Sequence, residues 1–218
     1  MVTGYSHRLW LVLALTSLAV LILGLLYSFN IIPHRQYTNA DFDIPDYHSA
    51  VDKDADGLDD QSDILASARA YLETRPKYQS IYYADGYPDD EHGVCTDVIA
   101  FALRGAGYDL MKLVDADIRV NPTLYDVETP DANIDFRRVK NLEVWFRRHA
   151  KSLTTDVHDI IEWQGGDIVI FKDHIGLVSD KRNKNGVPFL IHHYSPLQAS
   201  YEEDVLENYQ VLGHYRIS

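Results

Sequence analysis

One residue of this chain is a candidate for nucleophilic chemistry by its type and position. Cys95 is the only cysteine, and apolar residues follow it at helical spacing: Val98, Ile99, Ala102 and Leu103. Gly107 then suits the end of a helix. The pattern predicts that Cys95 lies at a helix N-terminus, where unpaired backbone N–H groups and the helix dipole favour the thiolate over the thiol. The alternative is a buried cysteine that serves only as a small apolar side chain.

Histidines that could activate this thiol lie in the C-terminal third of the chain, which has the composition of β-strands. Apolar runs cover residues 166–171, 173–179, 188–194 and 211–217. Asn185-Gly186, between the second and third runs, is a strong hairpin signal. A helix followed by an antiparallel sheet predicts a domain of the α+β class.

The order of these elements suits a cysteine hydrolase. A thiolate needs an imidazole to stabilise it and to protonate the departing amine, and that imidazole needs a third group to fix its tautomer. His174 is the candidate base, and the small Gly176 on the same strand face leaves room beside it. The third group is His192 or His193 but not both, because neighbours on a strand point to opposite faces.

Several motifs resemble known protein families. Three segments resemble the core of NlpC-like cell-wall cysteine peptidases: Gly166–Phe171, His174–Val178 and Phe189–His192. Four segments resemble a bacterial family numbered 1287 among domains of unknown function: 93–98, 133–142, 173–176 and 213–216. The resemblance covers the chain from about residue 60 to its end.

This resemblance implies a papain-like (NlpC-type) fold in which the helix bearing the cysteine packs on an antiparallel sheet. It implies that Cys95 is the nucleophile, His174 the base and His192 the orienting residue. The implied reaction is cleavage of an amide bond in peptidoglycan, by a peptidase or an amidase. Val94 and Thr96 stand where the NlpC pattern has an acidic residue and a serine, so the bond itself is not specified.

The N-terminal segment has the length and composition of a transmembrane helix. No Asp, Glu, Lys or Arg occurs between Arg8 and Arg35, and residues 9–27 are almost wholly apolar. An uncleaved anchor is favoured over a cleaved signal peptide, because a small-x-small cleavage site is not evident. The positive-inside rule places residues 1–8 in the cytoplasm and the rest of the chain outside the cell, as a single-pass membrane protein. Residues 28–51 are expected to form a tether.

Residues 52–63 follow the ligand order of a calcium loop of the EF-hand kind, and we call them the acidic loop. Counted from Asp52, carboxylates occupy positions 1, 3, 5, 9 and 12, and Gly57 occupies position 6. The predicted ligands of a structural calcium ion are Asp52, Asp54, Asp56, the Leu58 carbonyl, Asp60 and Asp63. The final aspartate resembles the calcium loop of dockerin repeats. The alternative is a solvated acidic linker before a capped helix.

The charge distribution limits the possible partners. A net charge of −13 argues against nucleic acid as a partner. Residues 137–151 form a basic segment. It is either a solvated face or a binding site for the carboxylates of an anionic substrate.

Together these observations predict a membrane-anchored, extracytoplasmic cysteine hydrolase, with residues 64–218 as its catalytic domain and no organic cofactor. The alternatives are a non-catalytic, calcium-stabilised wall-binding module and an acyl or peptidyl transferase that forms the same thioester.

Overall fold

The computed structural model describes residues 3–217, with side chains described from Arg8 onward. Residues 1–2 of the predicted cytoplasmic segment and residue 218 lie outside the described residues. The chain divides into two compact units, Met1–Arg35 and Gln36–Ser218. The first unit contains helix α1 (Thr3–Ser28). Its segment Arg8–Ser28 is long and apolar enough to cross a membrane, as a signal sequence near an N-terminus also would be.

The second unit is an α+β domain, as the sequence predicts. Its helices, in chain order, are α2 (Asp60–Glu73), α3 (Cys95–Gly105), α4 (Leu110–Val120), α5 (Pro122–Tyr125), α6 (Ala132–Asp135) and α7 (Val139–His149). A short parallel pair, β1 (Lys77–Tyr78) and β2 (His92–Gly93), precedes α3. Helix α3 packs closely on α2: a Cβ on Gly105 would lie 1.9 Å from the Ser67 hydroxyl oxygen, so the contact requires glycine.

The main sheet has six antiparallel strands in the order β3-β8-β4-β5-β6-β7. The strands are β3 (Lys151–Ser152), β4 (Ile168–Ile170), β5 (Ile175–Arg182), β6 (Pro188–Ile191), β7 (Glu202–Glu203) and β8 (Gly213–Arg216). The predicted hairpin is confirmed between β5 and β6, where Gly186 has a φ of 82°. Such a left-handed turn conformation suits glycine.

The hydrophobic core lies between the helices and one face of the sheet. Apolar side chains from α2, α3, α4 and α7 pack against inward-facing strand residues such as Ile168, Ile175 and Leu177. A smaller cluster around Trp163 covers the other face of the sheet. The sheet residues next to the candidate site are therefore held by packing on both sides.

The segment before α2 belongs to the domain rather than to a free tether. Tyr37 pairs with Arg182 of β5, and the side chain of Asn39 is buried and bonds to Gln164. Ile44 is also buried, with 5% of its surface exposed. Of the predicted tether, residues 36–51 therefore pack as part of the compact unit, which begins at Gln36 rather than at Ile64.

Candidate active site

The start of helix α3 is fixed by a buried ion pair. Asp97, in the first turn, accepts a hydrogen bond from the backbone N–H of Val94 at 2.8 Å. Both carboxylate oxygens of Asp97 also accept from the Arg137 guanidinium, at 2.7 and 2.8 Å. Arg137 donates further to the carbonyl of Ile81 in the loop between β1 and β2. This network holds Cys95, the first residue of α3, at a defined place.

Cys95 lies against Ile175 at the beginning of strand β5. The backbone N–H groups of Ile175, Thr96 and Cys95 itself point to the Cys95 sulfur. His174 directly precedes Ile175, and Cys95 and His174 are each 9% exposed. Tyr78 lies close enough to Cys95 for their charges to interact, and burial raises the pKa of the Tyr78 phenol. The structure thus places the predicted nucleophile against the residue that follows the predicted base in the chain.

His174 begins a chain of buried hydrogen bonds that ends on a carboxylate. His174 Nε2 lies 2.8 Å from His192 Nδ1, and His192 Nε2 lies 3.0 Å from Glu203 Oε2. A carboxylate only accepts hydrogen bonds, so His192 Nε2 holds the hydrogen and its Nδ1 accepts one from His174 Nε2. His174 Nδ1 is then left without a proton. We call His174, His192 and Glu203 the imidazole chain.

Glu203 is the member of the imidazole chain that the sequence did not predict. It lies on β7, is 8% exposed, and also accepts from Gln198 Nε2 at 3.0 Å. Strand β7 has only two residues, so no alternating pattern marks it. The one available signal is its place in the chain: Glu203 follows β6 and His192 after a short connection, so its segment can pair with β6.

The structure also distinguishes the two neighbouring histidines. His192 points to His174, whereas His193 contacts the rings of Tyr78 and Tyr201 at centroid distances of 5.1 Å each. The Nδ1 of His193 is buried and has no hydrogen-bond partner in the described part of the chain. Burial lowers the pKa of His193 to about 4. Of the two neighbouring histidines, His192 is therefore the one that bonds to His174.

Burial decides the protonation state of the candidate pair. It raises the pKa of the Cys95 thiol to about 11, against the effect of the nearby backbone N–H groups. It lowers the pKa of His174 to about 3, and the neighbouring histidines add to that effect. The helix N-terminus was expected to favour the thiolate, but desolvation outweighs it here. Near pH 7 the resting pair is a neutral thiol and a neutral imidazole.

We therefore expect alkylation of Cys95 in the free protein to accelerate as the pH rises. A thiol pKa of about 11 makes the thiolate fraction rise about tenfold per pH unit from pH 6 to 9. The measurement is the rate of iodoacetamide labelling across that range. The urea-unfolded protein serves as the control. Its labelling rate should begin to level off as the pH approaches 9.0, the ordinary pKa of a cysteine thiol. A rate independent of pH between 6 and 8 would instead indicate a preformed thiolate–imidazolium pair.

An open pocket of about 260 Å³ adjoins His174. Aromatic rings form much of its wall, and Lys172 and Asp173 place both signs of charge in it. The lining residues are Phe171, Lys172, Asp173, His174, Tyr194, Tyr209, Gln210 and Leu212.

A second buried cluster surrounds Asp167 and has a structural role. Arg216 donates to both oxygens of Asp167 at 2.7 Å, and His214 Nε2 lies 2.9 Å from Oδ2. His214 Nδ1 bonds to the Thr154 carbonyl, and its ring stacks on Trp163 at a centroid distance of 3.8 Å. Both ring nitrogens are occupied, so His214 has none left for chemistry. The cluster ties β8 to the turn before β4.

The basic segment 137–151 is largely paired within the protein. Besides Arg137, Arg148 binds the Asp117 carboxylate at 2.8 and 3.1 Å. Tyr125 and His149 also contact Asp117, and the hydrogen bonds it accepts keep its pKa well below the usual range. The segment therefore neither forms one solvated face nor leaves all its charges available to a substrate.

The structure brings some of the predicted calcium ligands together. Carboxylate oxygens of Asp52, Asp54 and Asp56 lie within 4.8 Å of one another. Asp63 is buried near these three carboxylates. Burial raises the pKa of Asp63, and the negative charges of Asp56, Asp54 and Asp52 raise it further. Asp60 differs: its oxygens bond to the Lys53 backbone N–H and to the Tyr108 hydroxyl. Asp60 thus anchors the acidic loop to the domain.

Comparison with known proteins identifies the family of this chain. Residues 65–217 match the family described as "Domain of unknown function (DUF1287)". Over 150 residues the chain is 42% identical to "Uncharacterized protein YijF" of Escherichia coli (strain K12), an alignment covering 65% of this chain and 72% of that protein. No solved structure matches the chain. The chain therefore belongs to the DUF1287 family.

Proposed function

We propose that this protein is a thiol hydrolase of papain-like type that cleaves an amide bond in peptidoglycan. The observation that carries the proposal is the placement of Cys95 at a helix start against Ile175, the residue after His174. His174 Nε2 is bonded to His192, and His192 is in turn bonded to Glu203. Unlike the structural His214, whose two ring nitrogens are both bonded, His174 enters this chain through Nε2 alone. The resemblance to NlpC-like peptidases supplies the substrate class. The helix followed by an antiparallel sheet is the arrangement that this resemblance implies.

The imidazole chain suits the proton transfers of amide cleavage. Cys95 Sγ attacks the carbonyl carbon while its proton passes to the free Nδ1 of His174. The imidazolium then gives that proton to the departing amine, which leaves a thioester on Cys95. Water hydrolyses the thioester, with His174 taking the water proton and returning it to the sulfur. His192 and Glu203 stabilise the imidazolium that forms between these steps.

Because Cys95 and His174 are both neutral at rest, the Cys95 thiol becomes a nucleophile only when a substrate is bound. Attack and proton transfer to His174 occur together, so no isolated thiolate has to persist in the buried site. The negative charge that develops on the carbonyl oxygen needs donors beside the sulfur. The backbone N–H of Cys95 points to this region, and the Tyr78 hydroxyl is our proposed second donor.

The proposed location is outside the cytoplasmic membrane, with helix α1 as an uncleaved anchor and the N-terminus in the cytoplasm. The charge pattern around α1 supports this orientation. Peptidoglycan lies on that side of the membrane, so the proposed location and substrate are consistent with each other.

Digestion of peptidoglycan in ¹⁸O-labelled water tests the proposal. We expect the full-length protein in detergent to release fragments that carry a new amine and a new carboxyl group containing one ¹⁸O atom. Mass spectrometry identifies the bond from the fragment masses, and a Cys95→Ala sample is the control. Fragments that form without ¹⁸O and carry a new amide would indicate transfer to an amine instead. Absence of any wild-type product would contradict the peptidoglycan proposal.

A further inference from the structure

We propose that the acidic loop binds one calcium ion through oxygens of its own residues. The last part of this loop is the first turn of α2. The proposed ligands are the carboxylates of Asp52, Asp54, Asp56 and Asp63 and the carbonyl of Leu58. This inference does not depend on the proposed hydrolase activity. Its chemistry is that of a hard cation held by several oxygens.

The spacing of the exposed carboxylates suits such an ion. Calcium lies 2.3–2.6 Å from its ligand oxygens, so oxygens on opposite sides of one ion are about 5 Å apart. Asp52, Asp54 and Asp56 each place an oxygen within 4.8 Å of the others. Gly57 has a φ of 101°, which suits the sharp turn at position 6 of such a loop.

Asp63 gives the independent evidence for a ligand. Its side chain is only 6% exposed, and its Oδ2 has no hydrogen-bond partner among residues 3–217. The neighbouring charges that act on it most strongly are those of four carboxylates: Asp56, Asp54, Asp52 and Asp60. A buried carboxylate without a partner costs free energy unless a cation compensates it. A calcium ion among the loop carboxylates supplies that compensation.

The ion would tie the acidic loop to the two helices next to the candidate active site. Asp63 belongs to α2, which packs along α3. Gly107, just beyond the end of α3, lies against the loop: a Cβ there would be 3.2 Å from Asp54 Cβ. Asp60 already fixes the loop to Tyr108. Calcium bound there would therefore stabilise the domain itself.

Thermal unfolding of the full-length protein in detergent tests this inference, with fluorescence of the buried Trp145 and Trp163 as the readout. Extracellular calcium modules bind with Kd of about 10⁻⁴–10⁻³ M, so 10 mM CaCl2 should lower the unfolding constant about 10–100-fold. For a domain of this size the midpoint should rise by about 3–10 °C relative to EGTA. The same concentration of MgCl2 should give a smaller rise, because magnesium dehydrates reluctantly.

Two variants and a matched control make the test specific. Asp63→Asn should unfold no earlier than wild type in EGTA, because it removes a repelled carboxylate, yet it should lose the calcium shift. Asp54→Asn, at an exposed site, should also lose the shift. Asp159→Asn removes an exposed carboxylate outside the loop and should keep it. Equal shifts in all four proteins, or none in wild type at 10 mM calcium, would overturn the proposal.

Discussion

Cys95→Ala is expected to release no detectable peptidoglycan fragments, a loss of about 10⁵-fold or more in turnover. Without the sulfur no thioester can form, and the imidazole chain has no nucleophile to activate. Alanine fits the buried space of Cys95, so the protein should remain folded. Fragment release by mass spectrometry measures the first expectation, and the thermal unfolding midpoint measures the second. A folded Cys95→Ala protein that cleaved at the wild-type rate would disprove the proposed mechanism.

A graded series along the imidazole chain separates catalysis from folding. His174→Ala should reduce turnover nearly as much as Cys95→Ala, because it removes both the base and the acid. His192→Ala should cost less, about 10–100-fold, because it affects only the orientation and charge of His174. Glu203→Gln retains the shape of Glu203 and should cost the least. Equal losses in all three variants, with lowered unfolding midpoints, would indicate a structural role instead.

The elements around the site could be predicted because their signals are local. The apolar spacing after Cys95 predicts α3, and Asn185-Gly186 predicts the β5–β6 hairpin. These two elements suffice to name Cys95 and His174. Choosing between His192 and His193 required the resemblance or the structure, since strand alternation says only that the two differ.

Other features depend on contacts between residues distant in sequence. Glu203 acts through a two-residue strand that exists only because β6 pairs with it. Residues 36–51 lack a periodic pattern, yet Asn39 binds Arg182, which is 143 residues further along the chain. The pKa of Cys95 depends on how completely the domain buries the thiol. Helix position alone predicts the opposite direction of that shift.

The second large expected effect is a loss of stability when Arg137, in the basic segment, is replaced. Arg137→Ala leaves Asp97, whose side chain is fully buried, without the guanidinium that binds both its oxygens. Breaking a buried pair in this way costs about 3–5 kcal/mol, a large part of the 5–15 kcal/mol that stabilises a typical protein. We expect a correspondingly lower urea midpoint and a disordered start of α3, because Asp97 also caps that helix at Val94.

Arg147→Ala is the matched control for this prediction. Arg147 lies in the same basic segment, on helix α7, but its side chain is 60% exposed and its contact with Glu143 is 4.0 Å long. Exposed pairs of this kind contribute at most about 0.5 kcal/mol, so the urea midpoint should hardly change. The double variant Asp97→Asn, Arg137→Leu should recover part of the loss, since no charge is then left buried without a partner. If Arg137→Ala unfolded at the same urea concentration as Arg147→Ala, the Asp97–Arg137 pair would not be what holds Cys95 in place.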